Sequence, residues 1–247
     1  MVRLDRSFTP TILHPKMVAA LTARFKESKE RVWHIDEVKS ALLQTSFNKC
    51  AYCECILTTE SKYMEVEHFK HKDTFPELVI SWENLLPACK RCNGAKGTHN
   101  VDEAPIVNPY QTDPTAHFKL KHYRLYAKSD IGKESIGVLD LNNFDRVIKV
   151  RLEVGEALQS AIEIGLDKLD LFLESPTTRR KNSLITIVAQ TLRECLPTAQ
   201  YAATSATILH DSEDYNLLKA GLQQANLWND ELEDYDIASR KIALDSK

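Results

Sequence analysis

Two CxxC pairs constrain the fold of this chain more than any other feature of its sequence. Cys50 and Cys53 form the first pair, Cys89 and Cys92 form the second, and 35 residues separate them. Four thiolates in two such pairs fill the tetrahedral coordination that zinc adopts in closed structural sites. In a reducing compartment this spacing favours metal ligation over disulfides. The sequence therefore predicts a structural zinc site, with a redox dithiol or buried free cysteines as the alternative.

The composition is that of an ordinary folded protein. Of the 247 residues, 43% are hydrophobic and 27% are charged, which is close to average globular usage. No apolar run approaches the roughly 18 residues that a membrane span needs, and the first residues lack a run of signal-peptide length. We therefore expect a cytoplasmic protein without membrane association.

The distribution of charge is more informative than its total. The formal net charge is only -3, so affinity for a polyanion has to come from a local patch or a partner. Residues 88–128 carry seven basic and three acidic side chains, whereas residues 205–247 carry four basic and nine acidic ones. This asymmetry favours nucleic acid near the first segment and a protein partner near the second. Alternatively, the charged helices only keep the protein in solution.

The expected fold class is α+β, mainly α, and the chain reads as four regions. Apolar residues spaced by three and four predict two helices in a lead-in, residues 1–47, with a break near Trp33. Residues 48–100 mix cysteines, aromatic residues and short strand-like runs, and they hold the candidate site. In residues 101–143, "FKLKHYRLYAK" and "SIGVLDL" flank "SDIGKE" like the two strands of a hairpin.

The remaining residues, 144–247, predict a C-terminal helical unit. One long helix begins at an N-cap supplied by Asn142 or Asn143 and continues to about Glu174. Three or four further helices follow, and one of them is expected to begin at Pro197, because proline is favoured in a first helical turn.

Between the cysteine pairs, the sequence resembles a known nuclease motif. "YMEVEHF" alternates enough to predict a strand ending at His68, and "CNGAKG" predicts a helix start beside Cys92. Glu67, His68, Asn84 and Asn93 lie in order within this cysteine frame. That arrangement resembles the HNH endonucleases and their ββα-metal site, over about 50 residues.

The resemblance implies a role for each residue. His68 would be the general base, Asn84 would brace the hairpin, and Glu67 and Asn93 would be ligands of a catalytic cation. The chemistry agrees, because histidine titrates near neutral pH and Mg²⁺ or Mn²⁺ takes oxygen ligands. The alternatives are a surface pair for Glu67 and His68, and simple turn or helix caps for the two asparagines.

Other residues of this segment have weaker claims to a role. His71, Lys72 and Lys96 are candidate phosphate contacts, but each is also typical of solvated surface. His99 is a rival of Asn93 as the last cation ligand.

A wider resemblance runs from Trp33 to about residue 151. The order "CAYCE", "VEHFK", "WENLLPACKRCN", "PIVNP" and "SIGVLDLNN" is similar to the PtuB subgroup, the HNH effector nucleases of Septu and retron-associated anti-phage systems. At His71 this subgroup often has proline, which makes the role of His71 doubtful. The resemblance implies an ABC-type or SMC-like ATPase partner, and residues 144–247 are the candidate partner-binding region.

These observations predict a metal-dependent HNH endonuclease that hydrolyses phosphodiester bonds in DNA or RNA, with tRNA among the candidates. The alternative is a zinc-stabilised nucleic-acid-binding module that does not cleave. A binding module would have no need for Glu67, His68 and Asn93 to converge on a cation site.

Overall fold

The computed structural model describes residues 1–58 and 64–247, and it confirms the α+β, mainly α, fold class. These residues form nine α-helices and two separate two-stranded sheets. The strands are β1 (Met64–His68), β2 (Leu85–Cys89), β3 (Phe118–Lys121) and β4 (Arg124–Ala127). The helices are α1 (Pro15–Ser28), α2 (Asp36–Thr45), α3 (Lys90–Lys96), α4 (Asp130–Val138), α5 (Lys149–Glu174), α6 (Thr178–Arg193), α7 (Ala202–Asp211), α8 (Glu213–Gln224) and α9 (Asp230–Arg240).

The chain divides into two compact units. Unit 1 contains residues 1–117 and 126–141, and unit 2 contains residues 118–125 and 142–247. Each unit has a buried apolar core of its own. Within the described ranges, no helix is both long and apolar enough to cross a membrane.

The two predicted helices of the lead-in are confirmed as α1 and α2. The His14 side chain caps α1 by accepting a hydrogen bond from the Met17 amide, at 3.3 Å, which satisfies one of the free donors of the first turn. Lys29 adopts a left-handed conformation, with φ of 57°, and ends the helix. Trp33 lies in the gap between the helices, where it is buried.

β1, β2 and α3 form the core of the candidate site. β1 pairs antiparallel with β2, so that His68 lies opposite Leu85 and Met64 lies opposite Cys89. The predicted strand at "YMEVEHF" is thus confirmed from Met64 onward, while Tyr63 lies outside the described residues. α3 follows β2 without a loop, because Cys89 ends the strand and also caps the helix.

The predicted placement of the second hairpin is wrong. Both strands lie within "FKLKHYRLYAK", and "SIGVLDL" contributes to α4 instead of a strand. His122 and Tyr123 turn the chain with φ of 48° and 61°, a conformation that tight hairpin turns require and that asparagine and glycine usually supply. Ser129 accepts a hydrogen bond from the Gly132 amide, so the segment taken for a turn is a helix N-cap.

The helical unit was largely predicted. Asn143 accepts a hydrogen bond from the Arg146 amide, at 3.0 Å, a single π-helical turn follows, and α5 continues to Glu174. Helices α6 to α9 confirm the further helices. The expected start at Pro197 is wrong, because that residue lies in a turn and α7 begins at Ala202.

Candidate functional site

The four predicted zinc ligands come together in unit 1. One sulfur atom from each of Cys50, Cys53, Cys89 and Cys92 lies within 4.8 Å of the others, and the Cys53 and Cys89 sulfurs are 3.8 Å apart. Sulfurs bound tetrahedrally to zinc at about 2.3 Å would be about 3.8 Å apart. The sulfur positions therefore fit a zinc site.

The surroundings of this cluster suit thiolates. Arg91 donates a hydrogen bond from Nη2 to the Cys92 sulfur, at 3.0 Å, and such a donor offsets negative charge on the sulfurs. Hydrogen bonding to Cys50 is the main cause that lowers the pKa of the Cys89 thiol, to about 4, whereas burial raises the pKa of the Cys50 thiol. Cys55 and Cys195 are buried and lie outside the group of four, although Cys55 hydrogen-bonds Cys50, Cys53 and Cys89.

The cysteine cluster fixes the elements that carry the chemistry. Cys89 ends β2 and Cys92 lies on α3, so the cluster sets the angle at which the strand enters the helix. The Ala51 amide donates to the Pro87 carbonyl at 2.9 Å, which ties the first CxxC turn to β2. β1 is paired along β2, so it is held against α3 as well.

His68 stands at the end of β1 in a defined orientation. Its Nε2 lies 2.9 Å from the Val79 carbonyl oxygen, and the Trp33 ring packs edge-on against the imidazole, with centroids 4.6 Å apart. A carbonyl oxygen only accepts hydrogen bonds, so Nε2 carries the proton and Nδ1 has the lone pair. Burial lowers the pKa of His68 to about 4, which keeps the ring neutral at pH 7.

Glu67 is buried and paired with Lys96 rather than open to solvent. The Lys96 ammonium lies 2.7 Å from Glu67 Oε1 and 3.0 Å from the His68 carbonyl oxygen. Burial raises the pKa of Glu67, and the Lys96 charge opposes that shift. Lys96, expected as a surface contact for phosphate, has a side chain with 0% exposure and lies inside the site.

Asn93 contacts a different glutamate from the expected one. Its Nδ2 donates a hydrogen bond of 2.7 Å to Glu65 Oε2. Glu65 and Glu67 lie two residues apart and share a face of β1, and Asn93 and Lys96 lie three residues apart on the adjacent face of α3. Strand and helix are therefore joined by two polar pairs, Glu65 with Asn93 and Glu67 with Lys96.

Asn84 braces the loop that follows β1. Its Oδ1 accepts from the Lys70 amide at 2.7 Å, and its Nδ2 donates to the carbonyls of Lys70 and Leu78 at 3.0 and 3.1 Å. These bonds connect the chain after His68 to the segment that carries Val79. Every one of these bonds goes to the backbone, so the contacts of Asn84 are those of a brace.

A groove of about 590 Å³ opens over this site. Glu67, His68 and Asn93 line it, so these three predicted site residues share one cavity, and Asn84 lies outside its lining. His71 and Lys72 also line it, whereas His99 bonds the Ala104 carbonyl, at 2.7 Å, outside the groove lining. The other lining residues are Lys29, Arg31, Trp33, His34, Lys39, Met64, Glu65, Val66, Gly97 and Thr98.

Sequence reasoning missed two features of this groove. Glu65 was overlooked, although the alternation of side chains along a strand places it on the face of Glu67. The contribution of residues 29–39 was also missed, because nothing in their local pattern indicates which part of the fold they approach.

Comparison with known proteins agrees with this geometry. The HNH endonuclease family is matched over residues 50–99. The Septu protein PtuB of Bacillus thuringiensis is 42% identical over 94% of this chain and 90% of that protein. The Septu protein PtuB of Bacillus mycoides (strain KBAB4) is 34% identical over 49% of this chain and 55% of that protein. Since the first similarity covers nearly the whole of both proteins, the chain belongs to the PtuB family and carries an HNH endonuclease domain.

Proposed function

We propose that this protein is a metal-dependent endonuclease that hydrolyses phosphodiester bonds in nucleic acid, with His68 as the general base. The main observation in support of this proposal is the orientation of the His68 imidazole. Nε2 of His68 is occupied by the Val79 carbonyl, at 2.9 Å, so Nδ1 is the nitrogen that can accept a proton. Because His68 lines the groove, a water molecule there would have a neutral base beside it.

The reaction needs a water molecule to lose a proton while it attacks phosphorus in line with the leaving oxygen. Nδ1 of His68 would take that proton, and the Val79 carbonyl would stabilise the imidazolium that forms through its bond to Nε2–H. Trp33, packed 4.6 Å from the imidazole, would keep the ring from turning. The imidazole would thus change its charge without changing its position.

Oxygen atoms around the groove suit a hard divalent cation. Glu65, Glu67 and Asn93 offer two carboxylates and a carboxamide, the donors that Mg²⁺ and Mn²⁺ prefer. Because Asn93 uses Nδ2 toward Glu65, Oδ1 is the atom left to act as a ligand. The bound cation would offset negative charge on the phosphoryl oxygens. Lys96 would keep Glu67 ionised and hold it on the α3 side of β1.

The zinc assignment separates structure from catalysis. Four thiolates would close the coordination of zinc and leave no position for substrate, so Cys50, Cys53, Cys89 and Cys92 would hold β2 and α3 in place. Catalysis would belong to the oxygen and nitrogen groups of β1 and α3, as ligand hardness predicts.

We further propose that the protein is a cytoplasmic effector of anti-phage defence acting with an ABC-type or SMC-like ATPase. The names of its relatives, Septu protein PtuB, support the defence role, and the sequence resemblance supports the partner. DNA and RNA, including tRNA, are both candidate substrates, because the groups of this site address the phosphodiester that they share.

A cleavage assay with a matched histidine variant tests the nuclease proposal. Supercoiled plasmid and tRNA are incubated with the wild type, His68→Ala and His99→Ala, each with Mg²⁺, Mn²⁺ or EDTA. His99 is a suitable control because its Nε2 also bonds a backbone carbonyl, that of Ala104, outside the groove. We expect cleavage by the wild type and His99→Ala with Mg²⁺ or Mn²⁺, and a decrease of at least about 100-fold in His68→Ala.

Equal cleavage by His68→Ala would contradict the proposed base. Binding of nucleic acid without any cleavage by the wild type, alone or with its ATPase partner, would instead favour the non-catalytic binding module.

A further inference from the structure

The loop between α1 and α2 is attached to the candidate base. Trp33 in this loop is 7% exposed, and it packs against Phe25 of α1 on one side and His68 on the other, with centroids 5.9 and 4.6 Å apart. Both contacts are edge-to-face, which is a favoured geometry for aromatic pairs. The position of the loop is therefore tied to the position of the imidazole.

This loop and the start of α2 bring positive charge to the groove. Lys29, Arg31 and Lys39 all line it, and we call these three residues the basic wall. Lys29 and Arg31 are exposed, and the left-handed conformation of Lys29 turns the chain out of α1 at that point. Lys72, on the loop after β1, adds a fourth cation to the same lining.

Two of the three acidic groups near the wall interact with residues outside it. Glu30 pairs with Arg24 at 2.5 Å, and Glu37 accepts a hydrogen bond from the Thr11 hydroxyl at 2.9 Å. Asp36 lies 3.5 Å from Lys39 and is 98% exposed, so that pair is weak. None of these three carboxylates lines the groove.

Inside the groove, positive charge exceeds negative charge. Two carboxylates line it, Glu65 and Glu67, and Glu67 is neutralised by Lys96 at 2.7 Å. The lining is therefore basic although the whole chain has a net charge of -3. A local excess of this kind attracts a polyanion without help from the total charge.

We propose that the basic wall binds the phosphodiester backbone of the nucleic acid beside the bond that is cleaved. The inference rests on the proposed nuclease function and extends it, because it adds to the HNH domain a substrate-binding surface from residues 29–39. Contacts to phosphates fix the register of a nucleic acid on a protein without reading its bases. The packing of Trp33 on His68 would couple that register to the position of the imidazole.

Salt-dependent binding by a double variant tests the wall. Lys29→Gln/Arg31→Gln removes two of its charges, and Lys16→Gln/Lys26→Gln removes two charges from exposed positions of α1 outside the groove lining. The wild type and both variants are titrated in EDTA without divalent cations, so that a 30-base-pair DNA duplex and a tRNA stay intact and the packing of Trp33 on His68 is kept. The dissociation constant is measured by fluorescence anisotropy at several salt concentrations.

We expect Lys29→Gln/Arg31→Gln to weaken binding by about ten-fold at moderate salt. The slope of log affinity against log salt should fall by about 2, roughly one unit for each phosphate that is no longer neutralised. Lys16→Gln/Lys26→Gln should leave the slope unchanged.

Three results would contradict the proposed role of the basic wall: equal slopes in the two variants, equal weakening of binding in both, or no binding by the wild type. Undiminished binding by Lys29→Gln/Arg31→Gln would contradict it as well. This readout is independent of cleavage. A change in slope without His68-dependent cleavage would refute the nuclease but keep the phosphate-binding wall, and the reverse result would refute only the wall.

Discussion

The imidazole of His68 shows how a backbone carbonyl can define the tautomer of a candidate catalytic side chain. The residue type was predictable from the sequence, because "EH" lies between the two CxxC pairs. Its tautomer was not, because the carbonyl that sets it belongs to Val79, eleven residues further along the chain and buried. Interactions of this kind depend on how a loop folds back, which local spacing does not encode.

Lys96 is the side chain whose environment differs most from expectation. A lysine after "CNGA" is typical of an exposed helix end, yet its ammonium lies between the Glu67 carboxylate and the His68 carbonyl. Removal of one partner from a buried ion pair leaves the other charge without compensation. The Glu67–Lys96 pair is therefore expected to stabilise the site as well as to take part in its proposed chemistry.

A pair of matched lysine substitutions tests this assignment. We expect Lys96→Met to lower the free energy of unfolding by about 3 to 5 kcal/mol, because Glu67 would remain buried and unpaired. Lys70→Met is the control, since Lys70 pairs with Asp102 in an exposed pair at 2.8 Å, and it should cost less than about 1 kcal/mol. Urea denaturation followed by circular dichroism measures both.

The double variant Glu67→Gln/Lys96→Met separates charge from packing. It should recover part of the stability that Lys96→Met removes, because no buried charge remains. A decrease below about 1 kcal/mol in Lys96→Met would mean that the Glu67 carboxylate is solvated or protonated instead of paired.

Among the elements, helices whose local pattern allowed one interpretation were predicted, and those whose pattern allowed two were not. The helix formed by the π-helical turn (Phe144–Ile148) and α5 was predicted at both ends, because its apolar stripe and the Asn143 cap of the π-helical turn are local. α4 was missed, because "SIGVLDL" is rich in β-branched residues and Ser129 was not considered as a cap. The start of α7 was misplaced because Pro197 is an equally good turn residue.

The β1–β2–α3 core depends on a connection that closes far along the sequence. The segment between the CxxC pairs is 35 residues long, and in the chain-entropy account the closure of such a loop is worth about 4 kcal/mol. The cysteine spacing and the ordered residues between the pairs made this core predictable, although β1 and β2 have five residues each and too small an apolar face to fold alone.

Two cysteine substitutions test the role of the cluster. Cys89→Ser should reduce bound zinc from about one ion per chain toward none and increase amide exchange throughout β1, β2 and α3. Cys195→Ser removes a buried thiol of unit 2 that lies outside the group of four, so it should keep its zinc. Metal content is read by atomic emission, and exchange is read by mass spectrometry. Zinc retained in Cys89→Ser, or lost equally in both variants, would contradict the four-cysteine assignment.

Across the whole molecule, the sign of the charge changes from place to place. The chain is acidic overall, with a net charge of -3, yet the groove over His68 is lined by Lys29, Arg31, Lys39 and Lys72. The acidic residues of the segment 205–247 lie in unit 2. With this distribution of charge, a polyanion would bind at the groove in unit 1 and would not coat the whole protein.

The function of the whole protein was predictable to the level of the family. The order and spacing of the cysteine pairs, His68 and the two asparagines identified an HNH nuclease core, and the motifs as far as residue 151 identified the subgroup. The composition of the groove was not predictable, because it joins the α1–α2 loop to β1 and α3 across distant parts of the sequence. Packing between segments so far apart in the sequence cannot be predicted from local sequence patterns.

The proposed chemistry requires His68 to be a neutral base with its proton on Nε2. Two-bond proton–nitrogen correlation spectra of the ¹⁵N-labelled protein at pH 7 measure this directly, with His68→Ala to assign the signal. We predict a neutral imidazole that carries its hydrogen on Nε2 and an unprotonated Nδ1. A hydrogen on Nδ1, or a charged ring at pH 7, would rule out His68 as the base in this orientation.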